Sequence, residues 1–286
     1  MFGRRIMICI LAFGLISLAG CTTNQSKPAQ PPAARAFSTD RFVIAGSGTN
    51  LPVTRKLAEA YQTKFGLAVE IPPSIGTDGA TIALGSGALE LGLISRPLTP
   101  SEIEKGLKTI PYAKVGIVFA TPVAVPDTNM TAEELLKIHQ GVKNTWSNGK
   151  PIFVIIREKH DSSNQVLYQL IPGWKDAIFR SIDEKRWQIA YKDAEVPRAL
   201  LNTAWSVGLT DTTETILHKN TLKPLRVNGA TPDPTNIANG TYPFSKELSF
   251  AYKGILTERA KKFVEYVRSE EGKAIIATMG AVPVAE

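Results

Sequence analysis

Three times in this chain a short apolar run breaks into small and hydroxyl-bearing residues and then opens into a helical pattern. The first is Ile44-Ala45-Gly46-Ser47-Gly48-Thr49-Asn50-Leu51-Pro52, with helical spacing on to Phe65. The construction recurs at Ile75-Gly76-Thr77-Asp78-Gly79 and at His160-Asp161-Ser162-Ser163-Asn164. A helix start carries backbone N–H groups without intrahelical partners, and a hydroxyl beside it adds a further donor. Such a point suits an oxyanion. A single Ser or Thr before a helix is most often a plain cap; the repetition is what carries meaning. Together with Arg96 and Arg157, each ending an apolar run, the three loops predict a site for a tetrahedral anion.

Catalytic arrangements are lacking. His139, His160 and His218 stand far apart, without metal-ligand spacing, and Ala45 occupies the place where a Gly-x-Ser-x-Gly elbow around Ser47 would need glycine. His160 beside Asp161 and the serines resembles a hydrolytic set, but adjacent residues seldom point together. There is no Gly-Lys-Ser/Thr phosphate loop. The reading is of a protein that is not an enzyme, with no catalytic residues, no metal and no cofactor.

The elements that must position these residues alternate. Strands are predicted at Phe42–Ala45, Leu67–Ile71, Leu89–Ile94, Ile152–Ile156, near Val207–Thr210, at Leu222–Val227 and at Leu248–Tyr252. Val115–Val125 forms a long β-branched run. Helices are predicted at Leu51–Phe65, Gly79–Leu84, Ser101–Leu107, Ala132–Gln140, Gln165–Ile171, Lys175–Ser181, Thr257–Arg268 and Gly272–Met279. Thr99-Pro100-Ser101-Glu102 and Thr131-Ala132-Glu133-Glu134 fit the capping box. This alternation argues an α/β fold with mixed, largely parallel sheets flanked by helices. Two lobes joined by two crossings explain the order, with the crossings expected within Phe119–Val125 and Leu217–Leu225. The four tryptophans, Trp146, Trp174, Trp187 and Trp205, have no regular spacing and read as core or interface.

The chain begins with an address rather than a fold. Arg4 and Arg5 precede the apolar run Ile6–Leu18, which at about 13 residues is too short to span a bilayer. Leu18-Ala19-Gly20-Cys21 follows and resembles the lipobox of bacterial lipoproteins, which implies cleavage before Cys21 and lipidation of that residue. Cys9 and Cys21 are the only cysteines, so the mature domain has no internal disulfide and stands on its hydrophobic core. Residues 21–38, rich in Pro, Gln and Ala, read as a flexible tether. The expected organisation is a signal peptide at 1–20, tether at 21–38, a first lobe at 39–120 plus 222–286, and a second lobe at 121–221. The net charge of +7 favours anionic ligands, but no dense basic stripe with interleaved aromatics exists, and nucleic acid is not an expected partner.

These features together resemble the phosphate-binding proteins of bacterial phosphate ABC importers, in the larger group of type II periplasmic binding proteins. The resemblance runs from Phe42 to Met279 in family order. It includes the Gly-Ser-Gly-Thr loop, the Ile-Gly-Thr-Asp-Gly loop, Leu93-Ile94-Ser95-Arg96-Pro97-Leu98, and Leu136–Trp146 before a strand ending in Arg157. It closes with Val227-Asn228-Gly229-Ala230-Thr231-Pro232 and Asn236-Ile237-Ala238-Asn239-Gly240-Thr241-Tyr242-Pro243. The resemblance implies a two-lobed Venus-flytrap molecule that closes on desolvated phosphate. It also implies a monomer held outside the cytoplasm by its lipid anchor, delivering its ligand to an ABC permease complex. By it, Gly48, Thr49 and Asn50 contribute from the first loop, Thr77 and Asp78 from the second, and Ser95 and Arg96 from the strand end. Arg157 with Ser162, Ser163 and Asn164 contributes from the opposite lobe.

Two departures bear on the ligand. Arg96 stands where the family often has an aspartate that accepts the proton of hydrogen phosphate. Asp78 is then either a substitute acceptor or a helix cap. The last loop, Arg-Glu-Lys-His-Asp-Ser-Ser-Asn, is about one residue longer than the family's and has no glycine, which limits close backbone approach. The alternatives are a site for sulfate, tungstate or molybdate, or a ligandless sensor or interaction module on the same fold.

Overall fold

The structure, a computed structural model, describes residues 42–284. The predicted leader, Cys21 and the tether lie outside the described residues. The first stretch alternates β1 (Phe42–Gly46), α1 (Leu51–Phe65), β2 (Val69–Glu70), α2 (Gly76–Gly85), β3 (Leu91–Ile94) and α3 (Pro100–Glu104) before the long β4 (Leu107–Pro122). Next come β5 (Asn129–Met130), α4 (Ala132–His139), β6 (Phe153–Arg157), α5 (Ser162–Leu170), α6 (Trp174–Asp183), β7 (Gln188–Ala190), α7 (Glu195–Asn202) and β8 (Ser206–Asp211). The remainder is α8 (Thr212–Leu217), β9 (Leu222–Pro224), β10 (Arg226–Val227), α9 (Pro234–Ala238), β11 (Ser245–Lys253), α10 (Glu258–Arg268), α11 (Glu270–Thr278) and β12 (Val282–Pro283).

Helix α1 shows how the residues dictate the element. Pro52 lies in its first turn, where a missing N–H costs nothing. Val53, Leu57, Ala58 and Tyr61 recur at helical spacing and are buried, and Gly66 ends the helix in the left-handed region at φ 70°. Both anticipated capping boxes form, Thr99 with Glu102 and Thr131 with Glu134.

One path of strands runs β2-β1-β3-β11-β4-β8-β6-β7. The flanks are parallel, β2 and β3 with β1 on one side and β7 and β8 with β6 on the other. The middle, where β4 pairs with β11 and β8, is antiparallel. Strand β4 is shared between two hydrophobic cores. Its residues Tyr112, Ala113 and Val115 pack with Leu57, Leu91, Phe250 and Phe263, whereas Ile117 and Phe119 pack with Ile138, Trp146, Trp174 and Leu209. The change of core falls at Gly116. The return falls between Phe244, in the second core, and Leu248, in the first. The tail from Leu225 to Phe244 therefore packs with the second core, although the expected partition assigned it to the first lobe. We propose the lobe boundary at these two positions, because a lobe is held together by its own core.

Trp146 and Trp174 are core residues of the second cluster, as their type suggested. His139 lies against Trp174 with ring centroids 4.2 Å apart, and its Nδ1 is 2.8 Å from the Leu135 carbonyl oxygen. Burial disfavours the imidazolium and pushes its pKa down to about 4. Its neutral form therefore contributes stability that is fully present above pH 6.5 and is lost as the pH falls toward 4. The expected loss across that window is about 3 kcal/mol. Denaturant unfolding at pH 7.5, 6 and 4.5 measures it, and His139→Gln should flatten the dependence.

Candidate functional site

The carboxyl ends of β1, β3 and β6 and the segment after β7 converge at one place, together with the starts of α1, α2 and α5. Parallel strands followed by helices bring the strand ends and helix starts to the same rim, which is where such folds hold ligands. A cavity of about 380 Å³ lies there, walled by Ser47, Gly48, Thr77, Ser95, Arg157, Ser162 and Asp193 among others. Its hydroxyls are linked. Ser47 Oγ is 2.8 Å from Ser95 Oγ, and Ser95 Oγ is 3.0 Å from Ser162 Oγ. Thr77 Oγ1 accepts from the Ser95 N–H at 3.3 Å. Ile75 offers α2 no capping side chain and Ser74 Oγ takes the Gly76 N–H at 3.2 Å, so Gly76, Thr77 and Asp78 bring a partly capped helix N-terminus to the cavity wall.

The sequence-predicted residues divide into three groups. Gly48, Thr77, Ser95, Arg157 and Ser162 wall the cavity, Thr49 stands immediately behind Gly48, and the buried Ser163 lies next to Ser162. The Thr49 hydroxyl donates to Asp193 Oδ1 at 2.9 Å. Asn50 and Asn164 are scaffold. Asn50 donates to the Ile94 carbonyl and accepts from the Tyr112 hydroxyl at 2.7 Å. Asn164 donates to the carbonyls of Arg157 and Glu158 and accepts from the Trp174 indole. Both are fully buried, with every polar atom of the side chain engaged away from the cavity. Arg96 and Asp78 form the third group: they also line the cavity, but paired with each other. Arg96 is bound by both carboxylate oxygens of Glu102 at 2.9 Å and by Asp78 at 2.6 Å. The Arg96 guanidinium holds the Glu102 carboxyl down to about 2. An arginine neutralised by two carboxylates brings little positive charge to a ligand. Asp78 makes no capping bond with its side chain; its carboxylate, largely exposed, pairs with Arg96 where both line the cavity.

The helix start at Ser162 also differs from expectation. Asp161 is the N-cap, and its Oδ1 accepts from the backbone N–H of Ser163 and of Asn164. The chain's own carboxylate thus takes two donors that an outside anion would have used. Asp161 Oδ2 also accepts from Arg157 Nε at 3.1 Å and Nη2 at 2.9 Å. Burial works against the Arg157 charge, yet Asp161 and Asp193 outweigh it and leave the guanidinium more firmly protonated than usual. Burial likewise opposes the Asp161 charge, and Arg157 with Lys246 overcomes it, so Asp161 is ionised below the usual range.

Two residues of the site were not anticipated. Asp193, in the turn between β7 and α7, accepts from Arg157 Nη2 at 3.3 Å as well as from Thr49. It packs so closely that a Cβ added to Gly48 would lie 2.3 Å from its Oδ2, which explains glycine at position 48. Lys246, on β11, is buried and donates to the hydroxyls of Thr49, Ser162 and Ser163 at 2.8, 2.9 and 2.8 Å. A signal for Lys246 existed: strand alternation places it on the same face as the buried Leu248 and Phe250. Asp193 sits in an irregular turn and had none.

Residues 31–271 match the PBP superfamily domain. The chain belongs to that superfamily. It is similar to the phosphate-binding protein PstS of Bacillus subtilis, with 26% identity over 98% of this chain and 94% of the relative. The fold matches a structure from Clostridium perfringens, described as a phosphate ABC transporter substrate-binding protein with bound phosphate, at a TM-score of 0.77 and 25% identity. That match covers 86% of this chain and all of the other. A periplasmic molybdate-binding protein from Azotobacter vinelandii shares the fold at a TM-score of 0.59, with 16% identity over 86% of this chain and all of that one. The periplasmic binding proteins it resembles are two-lobed, in line with the two cores joined through β4 and the Phe244–Leu248 return.

Asn50→Ala should destabilise the protein by about 1–3 kcal/mol, because it removes the acceptor of the buried Tyr112 hydroxyl, which keeps only Thr54 at 3.2 Å, and the side-chain donor to the Ile94 carbonyl. Equilibrium unfolding measures this. An unchanged midpoint would show that the buried bonds of Asn50 are not needed.

Proposed function

We propose that this chain is an extracytoplasmic solute-binding protein that captures inorganic phosphate and delivers it to an ABC permease complex. The observation that carries the reading is the convergence of the Ser47, Thr77, Ser95 and Ser162 hydroxyls with Arg157 on one small cavity at the strand ends. The similarity to phosphate-binding relatives along nearly the whole chain supports it. The Leu-Ala-Gly-Cys sequence ending at Cys21 supports a lipid anchor, and the proposed molecule is a monomeric binding protein that performs no catalysis.

Closure of the two lobes about Gly116 and the Phe244–Leu248 return is the proposed mechanism. Removing water from the cavity strengthens every charged hydrogen bond within it. Charge-assisted bonds of roughly 1.5–3 kcal/mol each are enough in number to reach micromolar affinity, which needs about 8 kcal/mol net.

Asp193, rather than Asp78, is the acceptor that faces the ligand in this reading. An ionised carboxylate only accepts hydrogen bonds. An oxyanion that shares Arg157 with Asp193 therefore needs a proton of its own to place against that carboxylate. Hydrogen phosphate has one; sulfate, molybdate and tungstate at neutral pH do not. The same-fold molybdate-binding neighbour supports the alternative ligands only at the level of architecture.

Calorimetric titration of the full-length chain in detergent, stripped of ligand, with phosphate, sulfate, molybdate and tungstate tests the reading. Phosphate should bind one-to-one and ahead of the other three. Binding of none of them would leave the ligandless-module alternative. Arg157→Ala should weaken phosphate binding by about 2 kcal/mol or more, and undiminished affinity would remove Arg157 from the ligand's contacts. Asp193→Asn should narrow the gap between phosphate and sulfate, whereas Asp78→Asn should leave it in place.

A further inference from the structure

Lys246 is a buried ammonium with a surrounding unlike that of the other cations at the site. Arg157 and Arg96 each lie against carboxylates. Among the described residues Lys246 has no carboxylate within salt-bridge distance. Asp161 and Asp211 feel its charge from further away. All three of its N–H donors go to hydroxyl oxygens, and those hydroxyls come from both sides of the cavity: Thr49 behind the first loop, and Ser162 and Ser163 at the start of α5.

A hydroxyl both donates and accepts, and rotates to suit its neighbours, whereas an ammonium only donates. A hydroxyl that receives a bond from Lys246 must turn its own hydrogen elsewhere. For Thr49 the hydrogen goes to the Asp193 carboxylate. Ser162 lines the cavity 3.0 Å from Ser95, a contact that either hydroxyl can donate, so its hydrogen is directed to Ser95 or into the cavity. We propose that Lys246 is a positioning residue for the oxyanion site: it holds Ser162 as an acceptor and so leaves that hydroxyl's hydrogen for the cavity side, it holds Thr49 as a donor to Asp193, and by gripping both sides it favours the closed cleft. The assignment rests on the oxyanion-binding reading of the same cavity. It adds a cation that makes no contact with the ligand yet sets the polarity of the groups that do. Such groups cost no reorganisation when the anion arrives, since they are already oriented.

The test compares the full-length wild-type chain with Lys246→Met, Lys246→Gln and Lys246→Arg by phosphate titration and by thermal melting without ligand. Lys246→Met should raise the phosphate Kd about tenfold or more while the ligand-free melting temperature holds or rises, because a buried charge without an ion-pair partner has been removed. Lys246→Gln should lose affinity similarly, since an amide also accepts and no longer dictates the direction of the hydroxyls. It carries the expectation if Lys246→Met does not fold. Lys246→Arg, again donor-only, should recover much of the affinity. A lowered melting temperature with a wild-type Kd in the Met and Gln variants would make Lys246 merely structural and overturn the assignment. A wild-type chain that binds none of the oxyanions removes the functional reading and this assignment together, so the two failures are told apart by the wild-type titration.

Discussion

Buried charge is the constraint around which this structure is arranged. Arg157 and Lys246 are both withdrawn from water at the junction of the two cores, and a charge removed from water must be paired or richly hydrogen-bonded. Arg157 meets the requirement with Asp161, Asp193 and the Ala190 carbonyl, Lys246 with three hydroxyls. The groups that satisfy these two cations are drawn from the first loop, the strand ends, the start of α5 and the turn after β7. Satisfying them and bringing the two halves of the molecule together are the same event.

The site is consequently built on hydroxyls and side-chain charge more than on free helix starts. The repeated strand-to-helix turns first suggest three open backbone nests. At α5 the nest is filled by Asp161, which the longer, glycine-free loop places as its N-cap. At α2 it is only partly filled, because Ile75 offers no capping group and Ser74 Oγ takes the Gly76 N–H alone. What the third loop lacks in backbone donors, Ser162, Ser163 and the lysine behind them replace. Under the proposed function, this shifts discrimination between anions away from fixed N–H geometry and toward the balance of donors and acceptors around the ligand, with Asp193 proposed as the acceptor.

Much of the fold was legible because its periodicities are local. α1 is found between the predicted residues, and α4, α6, α10 and α11 lie within a few positions of expectation, since apolar spacing, capping boxes and terminal glycines act over a turn or two. The helices α7, α8 and α9 were passed over. They are 8, 6 and 5 residues long, too short for a period to stand out, and α9 opens on a proline that reads equally as a turn. The lobe boundary proposed from the two cores differs from the sequence expectation for a related reason. Continuous β-branched text from Val115 to Val125 does not reveal where a strand leaves one core and enters another; only the packing of Val115 on one side of Gly116 and Ile117 on the other does.

For the site, the sequence by itself determined which loops carry donors, because strand-end chemistry and helix starts are written in consecutive residues. Gly48, Thr77, Arg157 and Ser162 follow from that, and Ser95 from the family resemblance. The tertiary structure alone decided which of the candidates reach the cavity and which serve as scaffold. Asn50 and Asn164 are polar and adjacent to the right residues, yet their amides hold the backbone of neighbouring strands. Arg96 is claimed by Glu102 and Asp78, while Asp193 and Lys246 arrive from segments 144 and 197 residues away from their partner Thr49. The physical reason is that the pairing of a buried charge is settled by distance through space, and local sequence pattern says nothing about which distant group will be within three ångströms.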